Sequence, residues 1–258
     1  MRIELYTNTW NERRILPFFL DHYEPWVDRF VVFDDGSDDG TAEVLARHPK
    51  VDLRPYPPKG DSFVLATLKL WQNVWKESRG RADWVIVTNV DEFLYHPDGM
   101  RAYLERCSAD GVTILHPLGY TMVGRAFPAD GKGLVSAIRH GAPMIGHDKR
   151  QAFVPDAITE INFSPGRHRS HPTGVVREPR IPEAKLLHYK YIDPHGYLIP
   201  RQKALGARLL PGDLSRGLGN HYALPDEVNL YSFEWLEMHA SDVVTPRAGD
   251  PPPGGRAV

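Results

Sequence analysis

Two short, almost wholly apolar runs, FVVF at 30–33 and WVIV at 84–87, set the terms on which this chain can fold. Strands so apolar want cover on both faces, as the parallel strands of a helix-flanked sheet have. The residues between them comply. IELYTNT (3–9) reads as a first strand. In the following 11–23 stretch Leu16, Phe19, Leu20 and Tyr23 recur at helical spacing. RFVVFDD (29–35) is the second strand, TAEVLARH a short helix and VDLRPY a weak third strand. A long helix is predicted over 61–79, with Val64, Leu68, Trp71 and Trp75 on one stripe, Asp61 or Ser62 as its cap and Gly80 at its end. DWVIVTNV (83–90) then forms a buried strand. Strand and helix in alternation predict an α/β fold, a mostly parallel sheet flanked by helices with right-handed crossovers.

The second half is less regular. GVTILHP (111–117) and AKLLHYKYI (184–192) read as strands, and glycine and proline punctuate 117–183. One domain is expected over 1–243, with halves at 1–97 and 98–243, followed by a Pro/Gly-rich tail over 244–258 that reads as disordered. A length of 258 residues is ample for one such core.

Charge and cysteine content narrow the function. Lys plus Arg number 31 and Asp plus Glu 33, a net charge of −2, so no global basic field invites nucleic acid or an anionic membrane. Cys107 is the single cysteine, which excludes an internal disulfide and points to a reducing compartment. No stretch approaches the roughly 20 apolar residues of a membrane span, and the N-terminus lacks the apolar core of a signal peptide. A cytoplasmic protein is expected, with peripheral attachment to a membrane through a partner left open.

Ligands of open α/β sheets bind beyond the carboxyl ends of the strands. Three polar clusters fall there: TNTWNE after the first strand, DDGSDDGT after the second and NVDEF after WVIV. An acid pair at the mouth of a buried strand suits a metal ion. Neighbours in an extended segment point to opposite faces, so with Asp91 at the ion Glu92 is expected to turn away and bond a neighbouring loop or backbone.

FDDGSDDGT resembles the nucleotide loop of family 2 glycosyltransferases, WNERRILPFFLDHY resembles their Asn-Glu helix start, and QNVWKESRGRADWVIVTNVDEFLYHP is similar to the helix, strand and Asp-x-Asp signature that follows. The Asp-Glu-Phe ending and upstream LDHY are similar to the subgroup related to family 92. The resemblance spans residues 3 to 97 well and thins towards 192. It implies a GT-A fold, a UDP- or GDP-sugar donor, and Mn²⁺ or Mg²⁺ held by Asp91. It also implies that Asp34 or Asp35 accepts a hydrogen bond from the base and that Thr7 and Asn8 line base and ribose. Asn89, where the family carries the first acid of its signature, keeps an oxygen able to accept the ribose hydroxyl but removes a charge. Asn11 and Glu12 belong either to this nucleotide site or to the helix start, Asn being a good cap. Lys59 and Val90 complete the nucleotide-sugar set.

A strand over LLHYKY puts His188 and Lys190 on one face, where they can meet a metal and a diphosphate together; a core histidine is the alternative. His168 and His171 read as substrate contacts or a surface loop rather than a zinc site. An inverting transfer needs a base, for which Asp148 comes first and Glu160 second. Lys149 and Arg150 either bind phosphate or an acidic acceptor or form a solvated rim. The expected activity is hexosyl transfer to a hydroxyl of a glycan or small metabolite. A nucleotidyltransferase is disfavoured by the lack of a Gly-rich phosphate loop. A catalytically silent nucleotide- or sugar-binding relative is favoured by Asn89, and opposed by His188 and Lys190.

Overall fold

The computed structural model describes residues 1–129, 132–144, 146 and 149–244. The first half follows the alternation read from the sequence. Strand β1 (Ile3–Thr9) leads to α1 (Leu16–Tyr23), β2 (Arg29–Asp34), α2 (Thr41–Arg47), β3 (Val51–Pro55), α3 (Phe63–Asn73) and β4 (Trp84–Val87). β1 lies between β2 and β4 and is parallel to both, with Tyr6 opposite Val31 and Leu5 opposite Ile86. β3 extends the sheet beyond β2, also parallel.

The chain then changes sheets. β5 (Glu92–Tyr95) follows β4 almost at once, then α4 (Met100–Ala109), β6 (Leu118–Gly124), α5 (Leu134–Ala137) and β7 (His140–Pro143). β8 (Ala152–Phe153) returns to the first sheet, antiparallel to β4, while β9 (Ile158–Glu160) and β10 (Thr173–Gly174) form a separate ribbon. β11 (Lys185–Ile192), α6 (Ile199–Gly206), α7 (Pro211–Ser215), α8 (Asp226–His239) and β12 (Ser241–Asp242) finish the described chain. The second sheet runs β12-β7-β6-β11-β5. Its β11–β6 pair is parallel and the rest are antiparallel. The architecture is therefore mixed α/β with two five-stranded sheets, rather than one mostly parallel sheet.

One core joins the sheets. Leu5 and Ile86 pack in the same fully buried cluster as Phe93, Leu187 and Tyr189. The opposite face of the first sheet packs Tyr6, Val31 and Val85 against Trp71 and Trp75. The expected helical stripe is thus half right: the two tryptophans are buried, whereas Val64 and Leu68 are only partly so. Ser62 caps α3 by accepting the Leu65 amide at 3.1 Å, and a 3-10 turn over Val74–Ser78 replaces the last turns of the expected helix.

Three boundaries differ from expectation, each for a local reason. α1 begins at Leu16, and Asn11 is not its cap: Asn11 has φ 51, in the left-handed region, and its amide bonds Asp38. No strand forms over 111–117, where only Ile114 makes an isolated bridge to Phe153; Pro117 offers no amide to a ladder, and β6 starts one residue later. Val244, assigned to the tail, is buried in the core next to Val243, because β12 pairs with β7 and draws both valines inward. The remaining tail, 245–258, lies outside the described residues. No helix among the described residues is long and apolar enough to cross a membrane.

Candidate functional site

β1, β2 and β4 are parallel, so their carboxyl ends, with the three polar clusters, share one edge. NVDEF has a second property that its spacing does not reveal: it is the crossing between the two sheets. The Thr88 amide is still tied to β1 at Tyr6, while Glu92 already opens β5 opposite His188 of β11. The Tyr189 amide donates to the Asp91 carbonyl at 2.7 Å. This register delivers the His188 imidazole to the acid pair from 97 residues away: its Nε2 lies 3.3 Å from Asp91 Oδ2.

Asp91 is 3% exposed. Its Oδ2 is shared by His188 and Arg201 Nη1, each at 3.3 Å, whereas Oδ1 is buried with no hydrogen-bond partner among the described residues. Burial by itself would raise this carboxyl, but His188 and Arg201 hold it well below the ordinary carboxylate range. Glu92 is fully buried and bonds the neighbouring loops, as expected: Lys149 Nζ at 2.6 Å, Arg167 Nη2 at 2.6 Å and the Asn89 side-chain amide at 3.2 Å. Arg167 and Lys149 depress its carboxyl against the effect of burial. It does not leave the site, however. One ligand atom each of Asp91, Glu92 and His188 lie within 4.8 Å of one another.

The donor set fits a divalent ion at Asp91 and His188. An anionic oxygen buried without a partner is costly to maintain unless something binds it, and the other oxygen of the same carboxylate lies 3.3 Å from the His188 imidazole. Glu92 is the outer support of such a site, since both of its oxygens are already engaged by cations. Lys190 adds a further positive charge. Burial and Arg201 push its ammonium down to about 8, and no anionic side chain among the described residues lies within hydrogen-bond reach of it. His221 is pushed down to about 4 by burial and by the charges of Lys190, His168 and Lys149.

The DDGSDDGT loop is tightly self-bonded. Asp34 accepts the Gly36 and Ser37 amides at 3.1 and 3.0 Å and the Ser37 hydroxyl at 2.6 Å. Asp35 pairs with Lys59 at 2.7 Å and with Arg208, whose guanidinium lies 3.7 Å from the Trp10 ring centroid. Thr7 is buried with its hydroxyl 3.3 Å from the Asn8 carbonyl, while Asn8 Oδ1 is buried without a partner among the described residues. Glu12 is drawn to Arg201 and, at 3.4 Å, to the Tyr197 hydroxyl. Val90 is a core residue.

Other expected residues fall elsewhere. Asp148 lies outside the described residues. Glu160 is not brought to the acid pair: both its oxygens take Lys76 at 2.7 Å, on the 3-10 turn whose Ser78 binds Glu4 near the amino-terminal end of β1. Lys149 is no solvated rim residue, being 3% exposed. Arg150 pairs with Glu178. His168 and His171 are exposed, and His168 Nδ1 meets the Gly146 carbonyl at 2.6 Å.

Sequence reasoning missed Arg167, Arg201 and Arg208. Arg167 stood in GRHRSHP, which drew notice for its histidines; Arg201 sits in a helix with no motif. Asn89 also changes meaning. Its amide is a donor to Glu92, and its backbone N–H meets Glu92 Oε2 at 3.3 Å. Asn89→Asp would set a carboxylate against a carboxylate. We expect a loss of about 1–3 kcal/mol of stability, the usual cost of unsatisfying a buried polar group, with no gain in Mn²⁺ affinity. Urea unfolding and Mn²⁺ titration of the variant check both; tighter Mn²⁺ binding would show instead that the charge missing at position 89 weakens the cation site.

The fold and site define a mixed α/β protein with a buried Asp–Glu–His cluster at a strand edge. No protein-family model matches the chain. An uncharacterized protein of Mycobacterium bovis and another of Mycobacterium tuberculosis are each 32% identical to it over 122 residues, which is 46% of this chain and 30% of theirs. A mycobacterial protein of known crystal structure aligns over 46% of this chain and 41% of its own, at 19% identity and a TM-score of 0.30, too low to define a shared fold.

Proposed function

We propose that the protein is a GT-A glycosyltransferase that moves a sugar from a UDP- or GDP-sugar to a hydroxyl of a glycan or small metabolite, with Mn²⁺ or Mg²⁺ as cofactor. The observation that carries the reading is the buried Asp91 carboxylate, with one oxygen unpartnered among the described residues, beside His188 at the carboxyl edge of parallel strands. Asp91 and His188 would hold the ion. When bound, a divalent ion stabilises the negative charge that develops on a departing nucleoside diphosphate.

The chain's own groups do the remainder. Glu92, clamped by Lys149 and Arg167, fixes the backbone turn that aims Asp91. Lys190 and Arg201 supply positive charge for the diphosphate at little reorganisation cost, since both are already placed. Asn8, whose amide oxygen has no partner among the described residues, would accept from a ribose or base donor. Inversion at the sugar carbon remains part of the proposal; of the two carboxylates considered as base, Glu160 is committed to Lys76.

A panel of UDP- and GDP-sugars, followed by nucleoside diphosphate release with Mn²⁺ and with EDTA, tests the reading. We expect release with at least one donor, lost in EDTA. Pyrophosphate release instead would indicate nucleotidyl transfer. No turnover, with a Mn²⁺-dependent rise in melting temperature on adding UDP or GDP, would identify a silent binding relative.

A further inference from the structure

We propose that Arg201 is a built-in counter-ion that occupies Asp91 until a divalent cation replaces it, whereupon its freed nitrogen takes the donor's diphosphate. The inference rests on the metal and donor reading above, and concerns a helix, α6, that no motif marks. The guanidinium is used on two sides. Nε and Nη2 grip Glu12 Oε1 at 3.1 and 2.5 Å. Nη1 alone reaches across to Asp91 Oδ2, at 3.3 Å.

The gripped side is well anchored. Glu12 is 5% exposed, its amide donates to the Thr41 hydroxyl at 2.9 Å, and its carboxylate also receives Tyr197. Arg201 therefore keeps its place on Glu12 while the Nη1 contact is exchanged. Charge governs that exchange. A buried carboxylate left unpaired is strongly unfavourable, and in the resting protein Arg201 and His188 offset it. A divalent ion at Asp91 Oδ1 and His188 brings two positive charges within a few ångströms of Nη1 and weakens its hold on Asp91. The released N–H then lies beside the cation, where a planar donor suits a phosphate oxygen. Lys190, acted on electrostatically by both Arg201 and Asp91, adds charge at the same place. The arrangement makes cation binding weak in the free protein and strong once the diphosphate is present.

The test uses the full chain and reads binding, not transfer. Free Mn²⁺ is titrated by electron paramagnetic resonance without nucleotide. UDP and GDP are titrated by calorimetry at saturating Mn²⁺. The variant is Arg201→Met with Glu12→Gln, which removes both charges of the pair. Arg201→Gln, which keeps a donor for Glu12, is measured beside it and decides the matter if the double variant does not fold. We expect Mn²⁺ to bind at least about tenfold tighter than in wild type, a change of roughly 1.4 kcal/mol, and the nucleoside diphosphate at least about tenfold weaker. A purely structural Arg201 would lower the melting temperature and move neither affinity. Unchanged Mn²⁺ affinity, or no Mn²⁺ binding by any form, overturns the proposal. Unchanged diphosphate affinity overturns its second half. Absence of transfer with tightened Mn²⁺ binding would count against the glycosyltransferase reading alone.

Discussion

Asp91→Asn is expected to lower the proposed transfer by roughly 10³-fold, the several kcal/mol that a Lewis-acid ion contributes to a developing phosphate charge. Asparagine keeps an oxygen at the site but not the charge, and His188 by itself is a poor anchor for a hard cation. The fold should survive. Arg201 retains Glu12, and Glu92 keeps Lys149 and Arg167. Mn²⁺-dependent nucleotide binding should vanish with turnover, because both depend on the same carboxylate charge. Steady-state release of nucleoside diphosphate and a Mn²⁺ titration, set beside the melting temperature, measure the effect. Near-normal turnover in a folded Asp91→Asn protein would sink the assignment of the ion to this carboxylate.

The largest stability effect should come from Arg167→Met. The Arg167 and Glu92 side chains are both fully buried, 2.6 Å apart. Arg167 also donates to the Val87 carbonyl at the end of β4 and lies 4.5 Å from the Trp71 ring centroid. It therefore ties together the last residue of β4, the first residue of β5 and helix α3. Removing one partner of a buried pair typically costs about 3–5 kcal/mol, since it strands the other charge. For a chain of this size that is a fall of roughly 6–20 °C in melting temperature. Lys149 limits the loss by remaining on Glu92. The acid limb of the stability curve should move as well. Arg167 and Lys149 hold the Glu92 carboxyl below its ordinary range, so its contribution is present above the unfolded value of about 4.3 and is lost as pH falls towards the depressed one. With Arg167 gone the depression lessens, and the variant should lose stability at higher pH than wild type. A loss below about 1 kcal/mol in urea unfolding at neutral pH would mean that the pair is not structural support.

Both effects concern residues whose importance was legible to very different degrees. Asp91 could be picked from the sequence because its signal is local: an apolar strand, a short turn and an acid. Arg167 could not, because its role depends on a carboxylate 75 residues earlier and on a backbone conformation, φ 60, that a non-glycine residue adopts only when its surroundings hold it there. Asn89 lies between these cases. Its position was evident, but its partner was sought in a ligand when it was three residues away, at Glu92. Glu92 itself was expected to face neighbouring loops and does so, yet the cations it meets there were not foreseeable.

For the fold, β1, β2, β3 and β4 and the burial of Trp71 and Trp75 follow from apolar runs and helical spacing alone, because those patterns are set by covalent neighbours and by the need to hide continuous apolar surface. The polar clusters at one edge follow too, since parallel strands share a direction. Tertiary structure alone decided that the chain leaves the first sheet between Val87 and Glu92, and that β11 pairs with β5 so that His188 stands opposite the acid pair. It alone decided that α6 brings Arg201 between Glu12 and Asp91. Periodicity reports which face of an element is buried, but not against what. Pairing register between strands some 90 residues apart, and the choice of partner for a buried charge, are settled only when the whole core closes and every buried polar group must find its counterpart at once.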